Sequence, residues 1–165
     1  MRNAPNKECQ LSDDLKEYNE CVAHIINSVQ VQKMRDFKHH SVISCYEHSI
    51  NVSMKSYKIC KLLGFNYKSA AIGGLLHDLF LYDWHTTKLD DGMHGFLHPK
   101  IALGNAAKLL ELNKIEKDII VKHMFPLTMV PPFYRESIVV CLVDKYCAIT
   151  ETLSIYFKLK NRILS

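Results

Sequence analysis

The sequence predicts an all-α fold. Apolar residues recur at helical rather than alternating spacing, capping residues stand at the head of most apolar runs, and no series of turn-bounded strands interrupts them. With 165 residues, a core can form without disulfide or metal staples, and residues 1–165 are read as a single domain.

Each element follows from the same signals. Ser12 is expected to cap a first helix with Leu15, Tyr18, Val22, Ile25, Ile26 and Val29 on its apolar side. Ser44 caps a second helix that runs to about Leu63 and stops at Gly64. Ser69 is placed at the head of a third, which carries Ala70, Ala71, Leu75, Leu76 and Leu79. Gly73 and Gly74 within it would let another helix approach closely. Residues 81–98 read as a loop containing Asp90, Asp91 and Gly92, and Pro99 suits the first position of a fourth helix with Ile101, Ala102, Ala106, Leu109 and Leu110. Asn113 and Glu116 have capping-box spacing before Ile119, Ile120 and His123. The segment MFPLTMVPPF breaks that fifth helix; a sixth runs from about Arg135 into the 140s, and a seventh covers 151–163.

Composition excludes several classes. The net charge of +4 is spread along the chain rather than gathered in a basic tail, which argues against nucleic acid as a partner. The six cysteines include no CxxC pair, so zinc-ribbon and thioredoxin-type motifs are absent. The opening MRNAPNKECQLSDD is polar, and no apolar run approaches the roughly 18 residues that span a bilayer. Reduced cysteines, a cytoplasmic location and no membrane partner are therefore expected. A homodimer through exposed apolar helix faces is compatible with the sequence.

One stretch resists the purely structural reading. GGLLHDLFLYDWH, residues 73–85, looks like a buried helix yet carries His77 and Asp78 in its middle. Ionisable groups in an apolar segment cost free energy unless something compensates them. Other helices repeat the anomaly: His48 in the second, His98 at the start of the fourth, His123 near the end of the fifth, and Asp144 within IVVCLVDKYCAI. Any one of these is explained by an ordinary hydrogen bond. Converging, their imidazoles and carboxylates form a donor set for iron, manganese, zinc or nickel that needs no thiolate.

The ordered set His48, His77-Asp78, Asp144 resembles the HD-domain superfamily of metal-dependent phosphohydrolases, over roughly residues 44–150. The segments LHPKIALGNA and IIVKHMFPLT resemble those that supply a second metal's ligands in binuclear members, such as HD-type dinucleoside-tetraphosphate hydrolases and HD-GYP phosphodiesterases. HDLFLYDWH also resembles short uncharacterised HD proteins of Gram-positive bacteria. The resemblance implies two divalent ions, iron before manganese, zinc or nickel. His48, His77, Asp78 and Asp144 would hold one, and His98 and His123 the other, with Asp78 bridging. Many binuclear members place a lysine three residues after the aspartate, where this chain has Leu81, and the GYP-type motif is absent.

The expected chemistry is attack on a small, nucleotide-like phosphate substrate by a hydroxide bridging two metals, with Asp78 at the catalytic centre. Asp83 and His85, just beyond the HD pair, are candidates for protonating the leaving group, and His85 is the better acid because its ordinary pKa is near neutral. His94 is a substitute for it. Two alternatives share the fold: a di-iron oxygenase with nearly the same ligands, and a non-catalytic nucleotide-binding or signalling module. His24, His39 and His40 precede the constellation and are read as structural or exposed, and Lys100, Lys122, Lys145 and Arg135 mostly as solvated surface charge. Tyr82, Trp84, Phe96, Phe125 and Phe133 fall in the two loops and either close the core or stack on a base.

Overall fold

The computed structural model describes residues 7–40, 43–88 and 92–163. Helix α1 (Lys7–Ile26) begins earlier than expected, so Ser12 lies inside it rather than at its cap. Tyr18, Val22 and Ile25 are buried as the periodicity requires, while Leu15 is exposed. The chain then turns, and the Ser28 hydroxyl caps the short α2 (Val29–Lys33), so Val29 belongs to a different helix. A 3-10 turn, Met34–Asp36, leads into a ribbon of β1 (Lys38–His40) paired antiparallel with β2 (Ile43–Ser44). Strands this short show no readable alternation, which is why the helical pattern hides them.

Helix α3 (Cys45–Leu62) starts where expected. The Ser44 hydroxyl accepts from the Glu47 N–H, and the Glu47 carboxylate accepts from the Ser44 N–H at 3.0 Å, a complete capping box. It ends at Gly64, whose φ of 69° lies in the left-handed region that glycine tolerates best.

Helix α4 (Tyr67–Leu76) departs from expectation at both ends. Asn66, not Ser69, is its cap, and the Ser69 hydroxyl instead meets Glu116 at 3.2 Å. The helix stops at Leu76, with His77 as its C-cap. Asp78 lies in the turn beyond, where Leu79 N–H donates to Leu76 O and Phe80 N–H to Asp78 O. The apolar run therefore continues past the helix: Leu79 and Phe80 are buried in a turn, a distinction that hydrophobicity alone does not draw.

Helix α5 (His94–Ala106) starts five residues before Pro99, so the proline lies inside it rather than opening it, and its missing N–H leaves the Gly95 carbonyl without a helical partner. Helix α6 (Lys114–Lys122) has the expected Asn113–Glu116 capping box, with His123 as its C-cap. The expected sixth and seventh helices are one, α7 (Arg135–Ile163). No glycine or proline interrupts it, and Thr150 and Thr152 return their hydroxyls to the carbonyls of Tyr146 and Ala148. Asp118 receives the N–H groups of Phe133 and Tyr134 at the head of α7, which fixes the proline-rich connection against α6. Among the described residues the fold is helical apart from the ribbon, as the sequence predicts, and no helix is long and apolar enough to cross a membrane.

Helix α4 is the axis of the molecule. It packs against α1, α3, α5, α6 and α7, and Ala70, Ala71, Leu75 and Leu76 are wholly buried. The two glycines do what their size suggests. A methyl group at Gly74 would lie 3.0 Å from the Ser53 Cα of α3, and one at Gly73 would lie 2.7 Å from Ile119 Cδ1 of α6. At Gly74 the obstacle is backbone, which cannot swing away. Gly74→Ala is therefore expected to destabilise the fold by about 1–3 kcal/mol, read as a lower midpoint in urea; an unchanged midpoint contradicts the close helix contact.

Candidate metal centre

Three of the histidines are aimed by a backbone carbonyl. His77 and His123 stand at the C-terminal ends of α4 and α6, where helix carbonyls lack intrahelical donors. His77 Nδ1 lies 2.8 Å from Gly74 O, and His123 Nδ1 lies 2.8 Å from Ile120 O. His98 Nδ1 lies 2.9 Å from His94 O. A carbonyl only accepts, so Nδ1 carries a proton in all three rings, and in the neutral ring Nε2 presents a lone pair. His48 is aimed by a carboxylate instead, with Nδ1 2.8 Å from Glu151 Oε2.

The lone pairs converge around Asp78. Asp78 Oδ1 lies 3.3 Å from His98 Nε2 and 3.4 Å from His123 Nε2. Its Oδ2 lies 3.5 Å from His77 Nε2 and 2.9 Å from His39 Nε2. Asp144 Oδ1 lies 3.0 Å from His48 Nε2 and 3.7 Å from His77 Nε2. The structure thus brings His48, His77, Asp78, His98, His123 and Asp144 together, all of them buried.

This arrangement calls for a cation. His98 Nε2 and His123 Nε2 are 2.8 Å apart, yet both are lone-pair nitrogens. His77 Nε2 and Asp78 Oδ1 are buried without a hydrogen bond of good geometry. Among the described residues, no lysine or arginine pairs with Asp78, Asp144 or Glu151. Donors sharing one ion at about 2.1 Å are separated by roughly 3.0–3.5 Å, close to the spacings found. Three groups have the geometry to hold a metal ion: His39, His48 and Asp78; His48, His77 and Asp144; and His77, Asp78 and His123.

The electrostatics agree. Burial acts to raise the Asp78 pKa, but His77, His123, His39 and His98 hold it well below the carboxylate range. Asp144 is likewise held down against burial by His48 and His77. For His48, burial acts downward, and the Asp144 and Glu151 carboxylates reverse this and raise its pKa to about 10. The ends of α4 and α6 add the negative poles of two helix dipoles.

A cavity of about 800 Å³ opens over the cluster. His39, Asp78, His98, His123 and Asp144 border it on the polar side; Trp84, Met93, Met124, Pro126 and Leu127 form an apolar wall. Lys145 also lines it, with Nζ 2.8 Å from His123 O, so this lysine is not a solvated surface charge. Asp83 and His85 are not drawn in. Their side chains are 50% and 44% exposed, lie 3.3 Å from each other, and do not line the cavity. His94 does line it, stacked between Trp84 and His98.

The family model of the HD domain matches residues 45–149, well over half of the chain. The chain belongs to the HD-domain family. No curated protein and no solved structure matches it.

Two further cluster residues, both outside the matched segment, are not among those the sequence singles out. Glu151 follows Asp144 by two helical turns on α7, so both reach the same His48 ring, and that spacing was legible. His39, read as structural or exposed, instead stacks on His48 and meets Asp78, because the unrecognised ribbon carries it there. His24 is exposed as expected, and the side chain of His40 lies outside the described residues. Carboxylates that orient a metal-binding histidine contribute about 10–100-fold to affinity. Glu151→Gln is therefore expected to weaken divalent-metal binding by about that factor with unchanged far-UV circular dichroism; unaltered affinity contradicts the role assigned to Glu151.

Proposed function

We propose that this HD domain is a metal-dependent hydrolase of small phosphate esters, with a centre of two divalent ions, iron first among the candidates. The observation that carries the proposal is the buried Asp78 carboxylate, with Oδ1 turned to His98 and His123 and Oδ2 to His39 and His77. On this reading His48, His77, Asp78 and Asp144 would hold one ion, and Asp78, His98 and His123 would hold the other. When bound, such ions supply Lewis acidity toward phosphoryl oxygen and make water a nucleophile near neutral pH. Membership in the HD-domain family supports the same chemistry.

The surrounding residues define what the substrate meets. The apolar wall excludes water, and Met93, Met124, Pro126 and Leu127, beside a Trp84 ring already packed against His85 and His94, suit an apolar leaving group. Lys145 is the one lysine or arginine among the described lining residues, and a backbone carbonyl already engages it. The pattern favours a substrate with a single phosphoryl group over a polyphosphate. Hydrolysis breaks the P–O ester bond, water supplying oxygen to phosphorus and a proton to the departing alcohol.

His94 is placed to assist departure in place of Asp83 and His85. Burial and the neighbouring His98 lower its pKa to about 4, so it is neutral at pH 7. Tyr82, whose pKa is pushed up to about 12 by burial and Asp78, donates its hydroxyl proton to His94 Nδ1 at 2.7 Å. That leaves the ring proton on Nε2, ready to donate a hydrogen bond to oxygen.

A screen of p-nitrophenyl phosphate and nucleoside monophosphates with Fe(II) or Mn(II) tests the proposal. Turnover that is abolished in Asp78→Ala is expected, whereas a metal-loaded protein that cleaves none of these esters contradicts it. His94→Ala, which removes one hydrogen-bond donor to the departing oxygen, is expected to lower kcat by about 10²–10³ and His85→Ala to change it by less than about twofold; the reverse ranking returns the role to His85.

A further inference from the structure

We propose that His39 is a seventh metal-binding side chain, delivered by the β1–β2 ribbon, which closes the His48 side of the centre while the His98–His123 side stays open to the cavity. The inference rests on the preceding reading only in that the cluster binds divalent metal.

His39 lies outside the segment matched by the family model. Its ring lies flat on that of His48, with centroids 3.8 Å apart and planes 12° from parallel. Its Nε2 is 2.9 Å from Asp78 Oδ2, the oxygen that also faces His77. The side chain borders the cavity yet is only 12% exposed, so it is built into the wall of the site. Donor atoms of His39, His48 and Asp78 all lie within 4.8 Å of one another.

The two oxygens of Asp78 face different groups of donors. Oδ2 faces His39 and His77, and His77 in turn adjoins Asp144, which meets His48; Oδ1 faces His98 and His123. His48 and His77 do not line the cavity, whereas His39, Asp144, His98 and His123 do, so the His39 ring stacked on His48 is the one of that pair that faces the cavity. A donor-rich, enclosed site binds metal to keep it; a donor-poor site beside a cavity keeps positions for substrate. The ribbon is fastened to the same side, because the Cys45 N–H at the head of α3 donates to Phe37 O at 2.8 Å. Metal binding at His39 would therefore order the segment leading into α3 together with the centre.

The test uses the full chain, stripped of metal and titrated with Mn(II), with hydrogen exchange followed in peptides covering the ribbon. Wild-type protein is expected to bind in a tight and a weak step, the first slowing ribbon exchange. His39→Ala is expected to weaken the tight step by at least about tenfold, to abolish ribbon protection and to spare the weak step. His39→Gln, which retains a hydrogen-bond donor for Asp78 but no imidazole, separates ligation from orientation and serves if the alanine variant fails to fold. Wild-type affinity and protection in the glutamine variant overturn the proposal and leave a binuclear centre standing. Wild-type protein that binds no Mn(II), Fe(II) or Zn(II) overturns the binuclear reading itself.

Discussion

Burying the Asp78 carboxylate is the constraint on which the rest of this structure depends. A charged carboxylate taken out of water is costly unless strong partners replace its hydration. Here the replacements are four imidazoles, from β1, the ends of α4 and α6, and the first turns of α5. Each of those elements must reach the same point, and the helical packing around α4 serves that end. Gly73 and Gly74 let α6 and α3 close on α4 near its C-terminal end, so that His77, His123 and His48 meet.

The helix ends have a second use. Terminal carbonyls need donors, and in this protein the histidines supply them. His77 and His123 satisfy Gly74 and Ile120 through Nδ1 and so must turn Nε2 inward. One hydrogen bond finishes the helix, chooses the tautomer and aims the lone pair. Glu151 orients His48 from the far side, and places a second carboxylate against that ring beside Asp144. The cluster is therefore rigid on its inner face and open on the side where α5 and the proline-rich segment line the cavity.

Much of this was legible because polar residues in apolar runs are conspicuous. His48, His77, Asp78, His98, His123 and Asp144 each stand out against their neighbours, and they converge. Capping residues located the starts of α3 and α6 for the same local reason. The failures were tertiary. Leu79 and Phe80 are as buried in a turn as they would be in a helix, so hydrophobicity could not show that α4 stops at Leu76. His39 sits in a polar stretch and reaches the centre only through a ribbon of two very short strands. Asp83 and His85 follow the HD pair closely in sequence, but Leu81 adopts a φ of 55° and the chain after it turns them outward, toward each other.

The most direct test of the account is the metal content of protein purified without oxygen and supplied with metal in excess, resolved by element and counted per chain. Two divalent ions per chain, with iron retained in preference to manganese, zinc or nickel, are predicted. Fewer than two under those conditions would contradict the claim that Asp78 is buried in order to join two metals.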